Sequence, residues 1–232
     1  MKRLATLLCL AAALGTRAVW ALPITDSASY TVNTFVPDND LNGLADTRTF
    51  SSSIDTITGL RVSLSLSGGF NGDLYAYITH GTGFSVLLNR AGRTGSNGDG
   101  YADAGFDVTF DDAAPNGDIH NYQLTLDPLG GALTGTWQPD ARTTHPLNTL
   151  DTDARSAFLS SFTGLNPNGD WTLYVVDVSP VGTSKLVGWG IDVTGNAPVS
   201  TVPESGSTAW LMVFGLGGVC FAARFVPRPA LR

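Results

Sequence analysis

Asp38, Asp40 and Asn42 stand at alternate positions, and Gly43 follows them. Carboxylate and amide oxygens at positions 1, 3 and 5 with glycine at 6 have the spacing of the first half of a calcium loop, where glycine lets the chain turn tightly around the ion. Asp46 falls at position 9, where a ligand acts directly or through water, and Thr49 replaces the bidentate glutamate of position 12. A half loop holds Ca2+ only if oxygens from elsewhere complete the shell, and Asp73 and Asp112 are the candidate donors. The plainer reading is a solvated turn, because Asp and Asn bond their own backbone in such turns. A second cluster, Asn97, Asp99 and Asp103 in a glycine-rich stretch, offers the same two readings.

Other chemistries find less support. The three histidines, His80, His120 and His145, fall at a strand end and in loops, where exposed solvated rings are expected. There is no Gly-x-Ser-x-Gly elbow and no local Ser/His pattern for nucleophilic catalysis. Glycoside hydrolysis needs two carboxylates at a defined separation. Asp111 and Asp112 are adjacent at a strand end and would point to opposite faces. No His or Cys cluster has transition-metal spacing. Neither an enzyme nor a transition-metal protein is expected.

The segment expected to fold, residues 22–202, holds seven Lys and Arg against 19 Asp, a net charge of −12. Such a field repels nucleic acid and favours cations or basic partners, so nucleic-acid binding is excluded as a function class. The single glutamate of the chain is Glu204; an acid content made of Asp suits turns and loops rather than helices. Cys9 and Cys220 both lie in terminal apolar segments, so no disulfide holds the body.

The elements that must position these residues read as short strands. Tyr30, Val32 and Phe35 mark a first strand, and residues 37–47 a polar loop. Phe50–Ile57, Leu60–Leu66, Leu74–Thr79, Phe84–Asn89 and Phe106–Phe110 follow, then an alternation at Tyr122, Leu124 and Leu126. Residues 90–104 and 127–150 are irregular, with Trp137 and Tyr101 as exposed aromatics. Asp151–Phe162 is the one helix expected, with Asp151 as its cap. Asn166-Pro167-Asn168-Gly169 is a strong turn, and the alternating strands that hold Trp171 and Trp189 read as neighbours with both rings in the core. The pattern implies an all-β, jelly-roll-like antiparallel β-sandwich.

Several stretches, in order, resemble the P/Homo B domain, the accessory module that follows the catalytic domain of subtilisin-like proprotein convertases. They are Pro37–Asp40, Phe70-Asn71-Gly72-Asp73-Leu74-Tyr75, Leu87–Gly92, Phe110–Ala114, Gly135–Pro139, Leu159–Phe162 and the strands of Trp171 and Trp189. A longer insert around residues 138–153 departs from that pattern. The resemblance spans about residues 30–195 and implies a sandwich that serves as an accessory rather than a catalyst.

The two ends imply export. Lys2 and Arg3, the apolar run Leu4–Leu14 and Val19-Trp20-Ala21 are ordered as a signal peptide over residues 1–21. At the other end, residues 198–232, Val202-Pro203-Glu204-Ser205-Gly206 precedes an apolar segment at 209–223, with Arg224, Arg228 and Arg232 behind it. This order resembles the PEP-CTERM sorting signals recognised by an exosortase, in a variant with Ser-Gly after Val-Pro-acidic. A plain anchor would place the basic end in the cytoplasm. Short hydrophobic helices are expected at both ends, with membrane contact through 209–223.

Between them, residues 22–197 are expected to form a non-catalytic module that is binding or structural, at the cell surface or in the extracellular matrix. Its partners would be the exosortase and an extracellular protein or polysaccharide. The alternatives are an accessory acting in trans on a secreted subtilisin-like protease, a carbohydrate-binding module, or a hydrolase.

Overall fold

A computed structural model describes residues 23–198. The expected signal peptide, sorting signal and terminal helices lie outside the described residues, apart from Pro198. Within them no helix is long and apolar enough to cross a membrane.

Nine strands form two sheets: β1 (Pro23–Phe35), β2 (Leu44–Phe50), β3 (Thr56–Gly68), β4 (Leu74–His80), β5 (Gly83–Asn89), β6 (Phe106–Phe110), β7 (Leu133–Trp137), β8 (Gly169–Asp177) and β9 (Ser184–Asn196). One sheet runs β1-β9-β3-β6-β7 and the other β2-β8-β4-β5. All described pairs are antiparallel except β6 with β7, which run parallel. The expected β-sandwich is thus the observed one, with a parallel edge strand added.

Alternation builds its core. Val62, Leu64 and Leu66 of β3, Leu74, Ala76 and Ile78 of β4, and Trp171, Leu173 and Val175 of β8 are all buried. Their intervening neighbours face outward, as a pleat with a period of two requires. Trp171 and Trp189 are both core residues. They are not on paired strands, however: β8 is an inner strand of the four-stranded sheet and β9 an inner strand of the five-stranded one.

Four local expectations are overturned. Leu44–Phe50, expected mostly as loop, is a strand because its register with β8, from Leu44↔Val175 to Phe50↔Gly169, satisfies a polar sequence through backbone pairing. The chain leaves that sheet after Phe50, so Phe50–Ile57 is not one strand; Asn168 Oδ1 accepts from Ser52 N at 2.6 Å in the crossing. Tyr122, Leu124 and Leu126 belong to a 3-10 turn (Ile119–Leu124) and its exit; Tyr122 is buried while Leu124 is 85% exposed. Asp151–Phe162 forms no α-helix; only Leu159–Phe162 makes a 3-10 turn. The two ends of residues 139–157 instead bond β5: Asp140 N and Ala141 N donate to Leu87 O and Val86 O at 3.1 and 2.9 Å, and Ala157 O accepts from Val86 N at 3.1 Å.

Candidate functional site

The loop carrying Asp38 and Asp40 packs on the end of β8. Asp40 N donates to Asp177 O at 3.1 Å, and Gly43 N closes the turn on Asp40 O at 3.0 Å. Gly43 has a φ of +54°, and a Cβ there would fall 2.5 Å from Val175 O, so only glycine fits.

This docking brings Asp38 towards two buried carboxylates, Asp73 and Asp177, which are 6% and 1% exposed. Burial pushes the Asp73 carboxyl up; Ser179 and Arg90 oppose the shift, while the charges of Asp99 and Asp38 add to it. Asp177 is pushed up to about 6, again by burial first, with hydrogen bonds from Ser184 and Ser179 opposing and the charges of Asp73 and Asp38 assisting. Arg90 is the nearby cation, its Nη2 lying 3.5 Å from Asp73 Oδ1. Its Nε donates to Gly72 O at 2.7 Å, which holds the guanidinium in the corner. Burial lowers Arg90 as it raises both acids. Desolvation therefore outweighs ion pairing here, and the corner gathers buried carboxylates beside a single guanidinium.

The other calcium candidates are committed elsewhere. Asp40 Oδ1 accepts from both the backbone and side-chain nitrogens of Asn42 at 2.9 Å, a closed local turn. Asp46 Oδ2 accepts from Trp189 Nε1 at 2.7 Å and Arg48 Nε at 2.9 Å. Although burial opposes it, these donors hold the Asp46 carboxyl below its usual range. Asp112 caps the Leu159–Phe162 turn by accepting from Leu159 N and Ser160 N at 3.0 and 2.7 Å. In the second cluster, Asn97 bonds Gly92 and Gly100, and Asp103 accepts from Tyr122, Gln123 and Gly130. Asp99 alone of that set adds its charge to Asp73. Among the described residues, no three His, Cys, Asp or Glu side chains converge as metal ligands. Asp38, Asp73 and Asp177 are the carboxylates that the fold brings near one another; the spacing of 38–43 did not foreshadow Asp177.

Two of the three histidines are not exposed loop residues. His80 is buried with its Nδ1 2.9 Å from Asp170 O and its Nε2 2.7 Å from Asn166 O. His120 is fully buried, donating from Nδ1 to Asp140 Oδ2 at 2.7 Å and from Nε2 to Arg93 O at 2.9 Å. Asp140 is also held by Arg142, whose second nitrogen reaches Asp118 at 2.8 Å. Burial works against protonation of His120, but the Asp140 bond and charge outweigh it and raise the ring above its ordinary value. All four described ring contacts go to backbone carbonyls or a carboxylate, and none goes to a serine hydroxyl. His145 is exposed as expected.

The expected exposed aromatics also move inward. Trp137 is fully buried, with Nε1 bonded to Thr134 O at 2.9 Å, and Tyr101 is half-buried against Tyr122. A cluster of outward-facing aromatics lies on the four-stranded sheet. Tyr77 lies 4.8 Å from Tyr174 and 5.3 Å from Phe84, ring centre to ring centre, and all three are half-buried.

No protein-family model matches the chain, and no curated relative matches it by sequence. Among solved structures it is similar to a serine protease of Aeromonas sobria, at 14% identity and a TM-score of 0.43. A structure of that protease and its chaperone, described as the ASP and ORF2 complex, gives 14% identity and a TM-score of 0.44. In each case the match covers 78% of this chain and 28% of the other, so the chain spans under a third of the length of the solved chains it resembles.

Proposed function

We propose that this protein is an exported, non-catalytic β-sandwich module that works by binding another macromolecule at the cell surface or in the matrix, after sorting by an exosortase. The observation that carries the reading is the use made of the residues best suited to acid–base work. His80 and His120 spend both ring nitrogens on acceptors that hold loops in place. A general base must instead keep a nitrogen within reach of a substrate proton. Ca2+ is proposed as a counter-ion near Asp73 and Asp177 rather than as the ion of a converged three-carboxylate site, and it would neutralise buried carboxylates that Arg90 alone leaves under-compensated.

The test is to label the full chain at the surface of its own cells with a photo-crosslinker and identify the adduct, alongside ester, peptide and glycoside turnover assays. A saturable adduct without turnover supports a binding module. Turnover lost in His80→Gln or His120→Gln, with folding retained, overturns it. An adduct with a secreted subtilisin-like protease, together with faster recovery of that protease's activity, would establish the trans-acting accessory role instead.

A further inference from the structure

Two separate depressions lie on the outer face of the five-stranded sheet, at different heights of β9. A groove of about 560 Å3 lies over the Asp192–Thr194 end, and a second of about 210 Å3 lies over Gly188. Both take lining from β1 and β3 on either side of β9, and the larger also reaches past β3 to Asp111–Ala113 and to Leu159, Ser160 and Thr163. They follow each other along one strand, and from Gly188 to Thr194 the distance is about 20 Å at the rise of a strand. Gly188 and Gly190 keep the floor bare for a structural reason. A Cβ at either would fall 2.6 Å from a β1 carbonyl, that of Tyr30 or Ala28 respectively.

Of the groove carboxylates that form no ion pair among the described residues, Asp112 in the larger is taken up by Leu159 N and Ser160 N, which leaves Asp192 in the larger and Asp107 in the smaller. Both are exposed. The cation in the larger groove, Arg61, is bonded to Asp111 at 2.7 Å. The banks are mainly hydroxyls: Thr25, Ser29 and Thr31 on β1, and Ser63 and Ser65 on β3. An anionic chain is disfavoured by this charge and by the body's net −12. A peptide has no backbone to pair with, because β9 is hydrogen-bonded along both edges.

We infer that these two depressions together bind a linear polysaccharide with free amino groups, such as a β-linked glucosamine chain. Its ammonium groups pair with Asp107 and Asp192, and its hydroxyls exchange hydrogen bonds with the serine and threonine banks. The inference rests on reading the chain as a binding module and names its ligand class.

The test is calorimetric titration of the full chain with glucosamine hexamer at low salt. Saturable binding is expected, weakened about fivefold by Asp107→Asn and by Asp192→Asn, the effect of losing one exposed charge pair. Ser63→Tyr, which puts a ring between the grooves, is expected to abolish binding with the melting temperature unchanged, while Ser63→Thr retains it. The N-acetylated hexamer should bind more weakly. Absence of binding, full affinity in Ser63→Tyr, or oligolysine of equal charge binding as tightly with the same variant sensitivity overturns the inference and leaves the binding-module reading standing. Cleavage of the hexamer, seen as new reducing ends, would overturn that reading instead.

Discussion

The imidazole of His80 lies flat on the indole of Trp171, with ring centres 4.3 Å apart and planes 5° from parallel. Phe162 stacks on the same indole at 5.1 Å, and Trp171 Nε1 donates to Pro167 O at 2.9 Å. The turn at 166–169 is thus fastened from both sides. His80→Ala removes the stack and the ring contacts to the carbonyls of Asn166 and Asp170. A loss of about 2 kcal/mol is expected, read as a lower denaturant midpoint at constant slope. His80→Phe should recover part of it by keeping the stack.

The His120–Asp140 pair should make stability pH-dependent. The ring's folded pKa is raised, so the folded chain holds a proton that the unfolded chain releases. The stabilisation is complete below the ordinary value of 6.5 and is lost as pH rises through the folded value. The melting temperature of the parent should fall over that window, and His120→Gln should melt lower and more evenly with pH. A parent as pH-insensitive there as the variant would contradict the assignment.

Asp177 acts with the opposite residue type but the same sign. Its folded pKa is about 6 against an ordinary 3.8, so the fold retains a proton that the unfolded chain gives up. Stability is contributed below 3.8 and lost as pH rises towards 6. Between these values the melting temperature of Asp177→Asn should gain relative to the parent. The gap between them, measured in matched buffers, isolates this group from the other carboxylates.

Calcium should act where that proton has left. At pH 7, millimolar Ca2+ after EDTA is expected to raise the melting temperature by several degrees, since a ligand at a hundredfold excess over Kd contributes about 2.7 kcal/mol. The rise should shrink at pH 5, where Asp177 is protonated, and vanish in Asp73→Asn. Asp46→Asn and Asp112→Asn, whose carboxylates serve Trp189 and a turn N-terminus, should leave the calcium shift intact while lowering the baseline.

Asn71 is a further point of weakness. Its side chain is fully buried; Nδ2 donates to Gly105 O at 3.1 Å and to Tyr122 Oη at 3.0 Å, and Oδ1 accepts from Gly105 N at 2.8 Å. Tyr122 Oη in turn donates to Asp103 at 2.7 Å. Asn71→Ala leaves the buried Gly105 N–H without its acceptor, while Gly105 O keeps Leu133 N, and should cost about 2 kcal/mol in equilibrium unfolding.

What the chain's own letters determined was the local alternation. Leu60–Leu66, Leu74–Thr79 and Trp171–Asp177 declare their buried faces because side chains on a strand alternate whatever lies beyond it. The acidity and the tight turns at Gly43 and Asn166–Gly169 were legible for the same reason: each depends on neighbours a few positions away.

Pairing and burial across long separations belonged to the tertiary structure. Ala45-Asp46-Thr47-Arg48-Thr49 has no apolar signature and is a strand because β8 offers it a free edge. Asp151–Phe162 has helical spacing, yet Ala157 O accepts from Ser85 Oγ and Val86 N, so the chain is held extended there. His120 and Trp137 occur in polar stretches that read as solvated, and become buried because distant residues close over them, as Asp140 does over His120. The pair of depressions along β9 has the same origin: single serines and glycines on three strands carry no signal until hydrogen-bonded register sets them side by side.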